Sequence, residues 1–138
     1  MASLRADRVI FTGLVGELIA WINTPDNSLE KTLGLGFVEV AIDEWTVHTP
    51  RKVKLVTGTV LAWDAVHERS GKHPLGLACD LLVYIGGVYV ADGGHPVWKL
   101  IDEWCRAKDP KFGLGISFHD SNHLSYGEAV AEPDRVDA

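Results

Sequence analysis

Apolar residues recur near the start of the chain at Phe11, Leu14, Val15, Leu18 and Ile22. Steps of three and four place them on one face of a helix, so the pattern predicts an amphipathic α-helix over about 7–23. The cluster Thr24-Pro25-Asp26-Asn27 is its stop signal. The period then changes. Val38, Val40 and Ile42 alternate with Glu39, Ala41 and Asp43, which is the repeat of a half-buried strand. The stretch 53–63 is rich in Val and Thr and reads as extended, with an interruption at Gly58.

The run 77–85 is almost continuously apolar and predicts a central strand. Gly86-Gly87, followed by Val88-Tyr89-Val90, is a hairpin signal, because paired glycines accept the positive φ angles of a type I′ turn. His95-Pro96 then opens a second helix, with Pro near its first position. Val97, Leu100, Ile101, Trp104 and Cys105 form its buried stripe, and Asp109-Pro110 stops it. A short last strand is expected at 115–119, delivering Asp120 and His123. From about 127 the chain is polar and acidic and should fray. The expected fold class is α+β. One domain over 1–138 holds a small, mainly antiparallel sheet with flanking helices.

At 138 residues the chain can bury one core without disulfide staples. The formal charge of -6 argues against a nucleic-acid partner, which selects for a basic face. The apolar stretch 9–21 is interrupted by Glu17, lacks a small-residue cleavage site and is amphipathic, so no secretory signal is expected. No run reaches the roughly 18 apolar residues of a membrane span. The expectation is a monomer made in the cytoplasm without membrane insertion. Cys79 and Cys105 lack metal-type spacing, and their apolar settings favour buried free thiols. A disulfide would need a Cα separation that sequence does not fix.

The chemistry concentrates in two segments, His73-Pro74-Leu75-Gly76-Leu77-Ala78-Cys79-Asp80 and Asp120-Ser121-Asn122-His123. They offer two imidazoles and a carboxylate for a metal, with a second carboxylate near one imidazole. Catalytic zinc takes three such ligands and keeps one position open. A carboxylate beside that position can accept a proton from water while the metal polarises a carbonyl. Asp80 interrupts an apolar strand, where a carboxylate is costly unless paired or metal-bound. Pairing with a buried Arg or a turn cap is the rival reading, and for Asp120 it is an Asx-turn or helix cap. Gly76 permits a tight turn from the His73 loop into the strand. His119 competes with His123 as the last ligand. His48, His67 and His95 stand outside the ligand set.

These two motifs resemble those of the zinc D-alanyl-D-alanine carboxypeptidase-like peptidases, a family that includes small phage endolysins cutting L-alanyl-D-glutamate bonds. The resemblance spans about 8–126. Val66-His67, the strand 80–84, Gly86-Gly87 and the helix 98–104 follow in the order of the phage members. It implies Zn2+ held by His73, Asp80 and His123, with Asp120 as the catalytic base. The implied substrate is the peptidoglycan stem peptide, the implied setting a host lysis enzyme released by a holin to act on the cell wall. Three positions depart from the family pattern. Gly71 stands where relatives carry Ser, with Ser70 one step earlier. Val47-His48-Thr49 stands where many carry a carboxylate-binding Arg. Leu124-Ser125 follows the last ligand in place of Phe-Glu. Substrate contacts would then fall to His48, Arg51 or His67. Without the Arg clamp an endopeptidase is favoured, which can hold neutral amides along an open sheet edge. The alternatives are a D-alanyl-D-alanine carboxypeptidase or dipeptidase, and a non-catalytic zinc-binding virion module.

Overall fold

A computed structural model describes residues 4–43, 52–54, 60–62 and 76–127. Helix α1 (Leu4–Asn23) begins three residues before the expected start and buries Phe11, Val15, Leu18 and Ile22 on one face. A single side chain then turns the chain. Asn27, buried, donates through Nδ2 to the carbonyls of Trp21, Ile22 and Thr24, which closes α1. Its side-chain oxygen accepts from the Glu30 N–H at 2.8 Å and so opens α2 (Ser28–Leu33). Side chains of this kind satisfy the orphan groups at helix ends. The sequence pattern missed α2, because six residues show too little periodicity and its cap reads as a turn residue.

Five strands form one sheet in the order β1 (Val38–Ile42), β4 (Ala78–Ile85), β7 (Asp120–Tyr126) and β6 (Phe112–Gly115), with β5 (Val88–Tyr89) also pairing with β4. Every pairing is antiparallel. Within the expected extended stretch, β2 (Lys52–Lys54) and β3 (Val60–Ala62) pair with each other, while 55–59 and 63 lie outside the described residues. The β4–β5 turn has Gly86 at φ 56° and Gly87 at φ 80°, the positive angles a type I′ hairpin requires. Helix α3 (Pro96–Lys108) starts where expected. His95 Nδ1 caps it by accepting from the Val97 N–H at 3.0 Å.

The expected strand at 115–119 is corrected. Residues Ile116–Phe118 form a 3-10 turn, His119 sits at φ 60°, and strands flank the turn on both sides. The alternation His123, Leu124, Ser125, Tyr126 is the real strand signal, with Leu124 and Tyr126 buried. The expected fraying tail at 128–138 lies outside the described residues.

Cys79, Leu81 and Val83 of β4 point to the same face as Val38 and Val40 of β1 and as Leu114, Leu124 and Tyr126. Helices α1 and α3 cover that face. Phe11 meets Phe112 edge-on with centroids 6.1 Å apart, and Trp21 stacks on Trp104 at 4.8 Å. Ala78, Asp80, Leu82 and Tyr84 alternate to the opposite face of the sheet, away from the helices.

On the two outer strands, several backbone groups are met by other parts of the chain. On β1 the Val38 N–H donates to Glu30 Oε1, and Asn23 bonds both the N–H and the C=O of Val40. On β6 the Leu114 N–H donates to Asp102 Oδ1 at 2.7 Å and the Phe112 N–H to the Asp109 carbonyl. Unpaired edge groups otherwise recruit further strands.

Leu81 is fully buried at the centre of this packing, whereas Val88 is 69% exposed. Chemical denaturation of Leu81→Ala should show a loss of about 2–5 kcal/mol. Val88→Ala should stay within about 0.5 kcal/mol of the parent.

Cys79 and Cys105 are free thiols with no exposed surface. Burial, then the charge of Asp80, pushes the Cys79 thiol up to about 12. Burial raises that of Cys105 as well. Both therefore stay protonated and inaccessible at neutral pH. An Ellman-type reagent at pH 8 should react slowly with the native protein and titrate both thiols promptly after denaturation. Rapid native reaction of either thiol would contradict this packing.

Candidate metal centre

The register that builds the sheet also assembles the site. The Tyr126 N–H donates to the Leu77 carbonyl, and Asp80 pairs with His123 three residues along each strand. Hydrogen-bonded pairs alternate with non-bonded ones in an antiparallel ladder, so 77/126 and 79/124 belong to the first kind. Asp80/His123 belongs to the second, in which Cα atoms approach to about 4.5 Å and side chains lie closer. His123 Nδ1 consequently lies 3.6 Å from Asp80 Oδ1, and both side chains are nearly buried. On its other edge, the Asp80 carbonyl accepts from the Asp43 N–H at 2.9 Å. Asp80 is thus fixed by strands on both sides.

Asp120 begins β7, opposite Gly115. Its Oδ2 lies 3.9 Å from the same His123 nitrogen, and its side chain is 42% exposed against 11% for Asp80. Two neighbours anchor the residues between Asp120 and His123. Ser121 Oγ donates to the Gly93 carbonyl at 2.7 Å, and Asn122 Nδ2 donates to the Leu81 carbonyl at 3.3 Å. Gly76, at φ 73°, turns the chain into β4 as expected, and a Cβ there would meet Arg8 Nε at 3.0 Å.

Of the expected site residues, the structure brings Asp80, Asp120 and His123 together. His119 is exposed at the end of the 3-10 turn, and His95 is engaged in capping α3, so among the described residues His123 is the imidazole facing Asp80. The expected ligand His73 and the expected substrate contacts His48, Arg51 and His67 lie outside the described residues. Among the described residues no three His, Cys, Asp or Glu side chains form a complete metal-holding group. The spacing of the two described donors can be set against that of a zinc site. Two donors, each about 2.0–2.1 Å from a tetrahedral zinc, stand about 3.4 Å apart. The 3.6 Å between Asp80 Oδ1 and His123 Nδ1 is close to that spacing and longer than an N–H···O hydrogen bond.

The fold and site define an α+β protein with a buried Asp–His pair and a more exposed carboxylate on the sheet face opposite the helices. Comparison with known proteins finds no matching family model, no matching curated protein and no matching solved structure. No helix among the described residues is long and apolar enough to cross a membrane.

Elemental analysis of variants tests the donor assignment. His123→Ala and Asp80→Ala should each lower zinc content well below one per chain, whereas His119→Ala should leave it at the parent level. Zinc retained in His123→Ala and lost in His119→Ala would exchange the two histidines.

Proposed function

We propose that the chain is a zinc metallopeptidase that hydrolyses a peptide bond in bacterial peptidoglycan stem peptides, with the L-alanyl-D-glutamate bond as the point of cleavage. The observation that carries this reading is the cross-strand pairing of Asp80 with His123 beside the Asp120 carboxylate. His73, Asp80 and His123 would hold the metal. When bound, zinc polarises the scissile carbonyl and stabilises the negative charge that develops on its oxygen.

The protein's own groups divide the remaining work. Asp120 accepts a proton from the attacking water as the new C–O bond forms. Its greater exposure lets it reach both water and substrate, which Asp80 in mid-strand cannot. When the C–N bond breaks, Asp120 returns that proton to the leaving amine. The Asp80 and His123 backbones sit in a paired ladder, so these donors need little reorganisation during the reaction. A phage endolysin, freed by a partner holin to reach the wall, is the setting that the motif resemblance supports.

Purified peptidoglycan incubated with the zinc-loaded protein should release stem peptides with a new N-terminal D-glutamate, read by mass spectrometry. Asp120→Asn should keep the parent's zinc content while turnover falls about 10²–10⁴-fold. Release of free D-alanine with the L-alanyl-D-glutamate bond intact would assign a carboxypeptidase instead. Zinc binding with no wall product at all would assign a non-catalytic module.

A further inference from the structure

In the motif Asp120-Ser121-Asn122-His123, the two middle residues look like spacers. The fold gives one of them a task. The backbone register between β4 and β7 runs through Ala78/Ser125, Cys79/Leu124 and Asp80/His123, and stops there. On its other side β7 pairs with β6 from Tyr126 to Leu124, and Asp120 pairs with Gly115 after a register shift between Leu114 and Gly115. The Asp80/His123 pair is therefore the last rung of the β4–β7 ladder. The next carbonyl on β4, that of Leu81, accepts from the Asn122 side-chain amide. A side chain thus makes the contact at the step where the paired register has ended.

We propose that Asn122 is a positioning residue, whose amide ties β7 to β4 just past the last rung of their ladder and so holds His123 opposite Asp80 and Asp120 beside them. Its functional consequence rests on the metal reading above; its geometric consequence does not. Without this tie the last rung of the ladder is free to open, which separates His123 from Asp80 before any other pair. The proposal gives Asn122 no contact with substrate or metal. It acts through the Leu81 carbonyl, in the way that partners behind a ligand set that ligand's orientation.

Two readouts test this on the full-length protein. In the metal-free state, a non-hydrogen-bonded antiparallel pair brings its Hα atoms into close contact. NMR should therefore show a strong Hα–Hα cross-peak between Asp80 and His123. Asn122→Leu, similar in size but without a donor, should weaken that cross-peak and leave those at Ala78/Ser125 intact. It should also lower zinc affinity about 10–100-fold in competition with a chelator. Asn122→Gln, which keeps an amide donor, should recover most of both. Should Asn122→Leu fail to fold, Asn122→Asp keeps the shape, loses the donor and gives the same readouts. An unchanged cross-peak in the donor-less variants overturns the proposal. If the parent holds no zinc, the metallopeptidase reading fails, and the cross-peak alone still decides the role of Asn122.

Discussion

The antiparallel register of β4 against β7 carries both the core and the candidate site. Side chains alternate along a strand, so Cys79, Leu81 and Val83 go to the helices while Ala78, Asp80 and Leu82 go to the opposite face. The same alternation on β7 sends Leu124 and Tyr126 inward and His123 and Ser125 outward. A slip of one residue would bury Asp80 among the helices and expel Leu81. That would strip a fully buried leucine from the core and leave a carboxylate among Phe11, Leu18 and Ile101. Core packing therefore fixes the facing of the site residues at no separate cost. Any force that holds Leu81 and Leu124 against the helices also holds Asp80 and His123 on the other face.

The sheet edges follow a second constraint. A five-stranded open sheet has two outer strands with unpaired N–H groups, and here helix-borne and turn-borne groups meet them. Asn23 at the end of α1 behaves as one more rung beside Val40, and Asp102 of α3 does the same for Leu114. Asp102 is itself held by Arg106 at 3.4 Å, which also donates to the Pro110 carbonyl. These contacts work against edge-to-edge association. They also mean that an extended peptide cannot simply add itself to β1 at Val38 and Val40 or to β6 at Leu114. The proposed function therefore places substrate on the sheet face that carries Asp120.

The long elements were legible because their signals are strong and redundant. Helix α1 shows four buried residues at helical spacing, and the Gly86-Gly87 turn has a steric reason to be where it is. The pairing of Asp80 with His123 was legible only as a shared chemistry, since sequence gives no register between strands forty residues apart. The shift of the last strand from 115–119 to 120–126 has a local cause. Gly113 and Gly115 weaken the strand pattern of β6, and the polar start of β7 hides its alternation until Leu124. Asn27 and Asn122 were the least legible. Each acts through a side-chain amide bonded to backbone carbonyls, and such bonds leave no periodic trace in sequence.

Two carboxylates of the same chemical type acquire different capacities here from their places on the backbone. Asp80 lies within an eight-residue strand, with its carbonyl bonded to β1 and its cross-strand partner on β7. Asp120 is the first residue of its strand, directly after His119 in the left-handed region, and its partner across the ladder is a glycine. The mid-strand position gives burial and a fixed direction, which suits a donor whose distance to His123 has to be held. The strand-end position gives solvent access, which suits the proposed role of exchanging protons with water. Interchanging the two roles would ask the exposed carboxylate to hold a fixed distance and the buried one to reach water. The division of labour in the proposed mechanism thus follows from strand geometry, before any difference in charge or ligand is invoked.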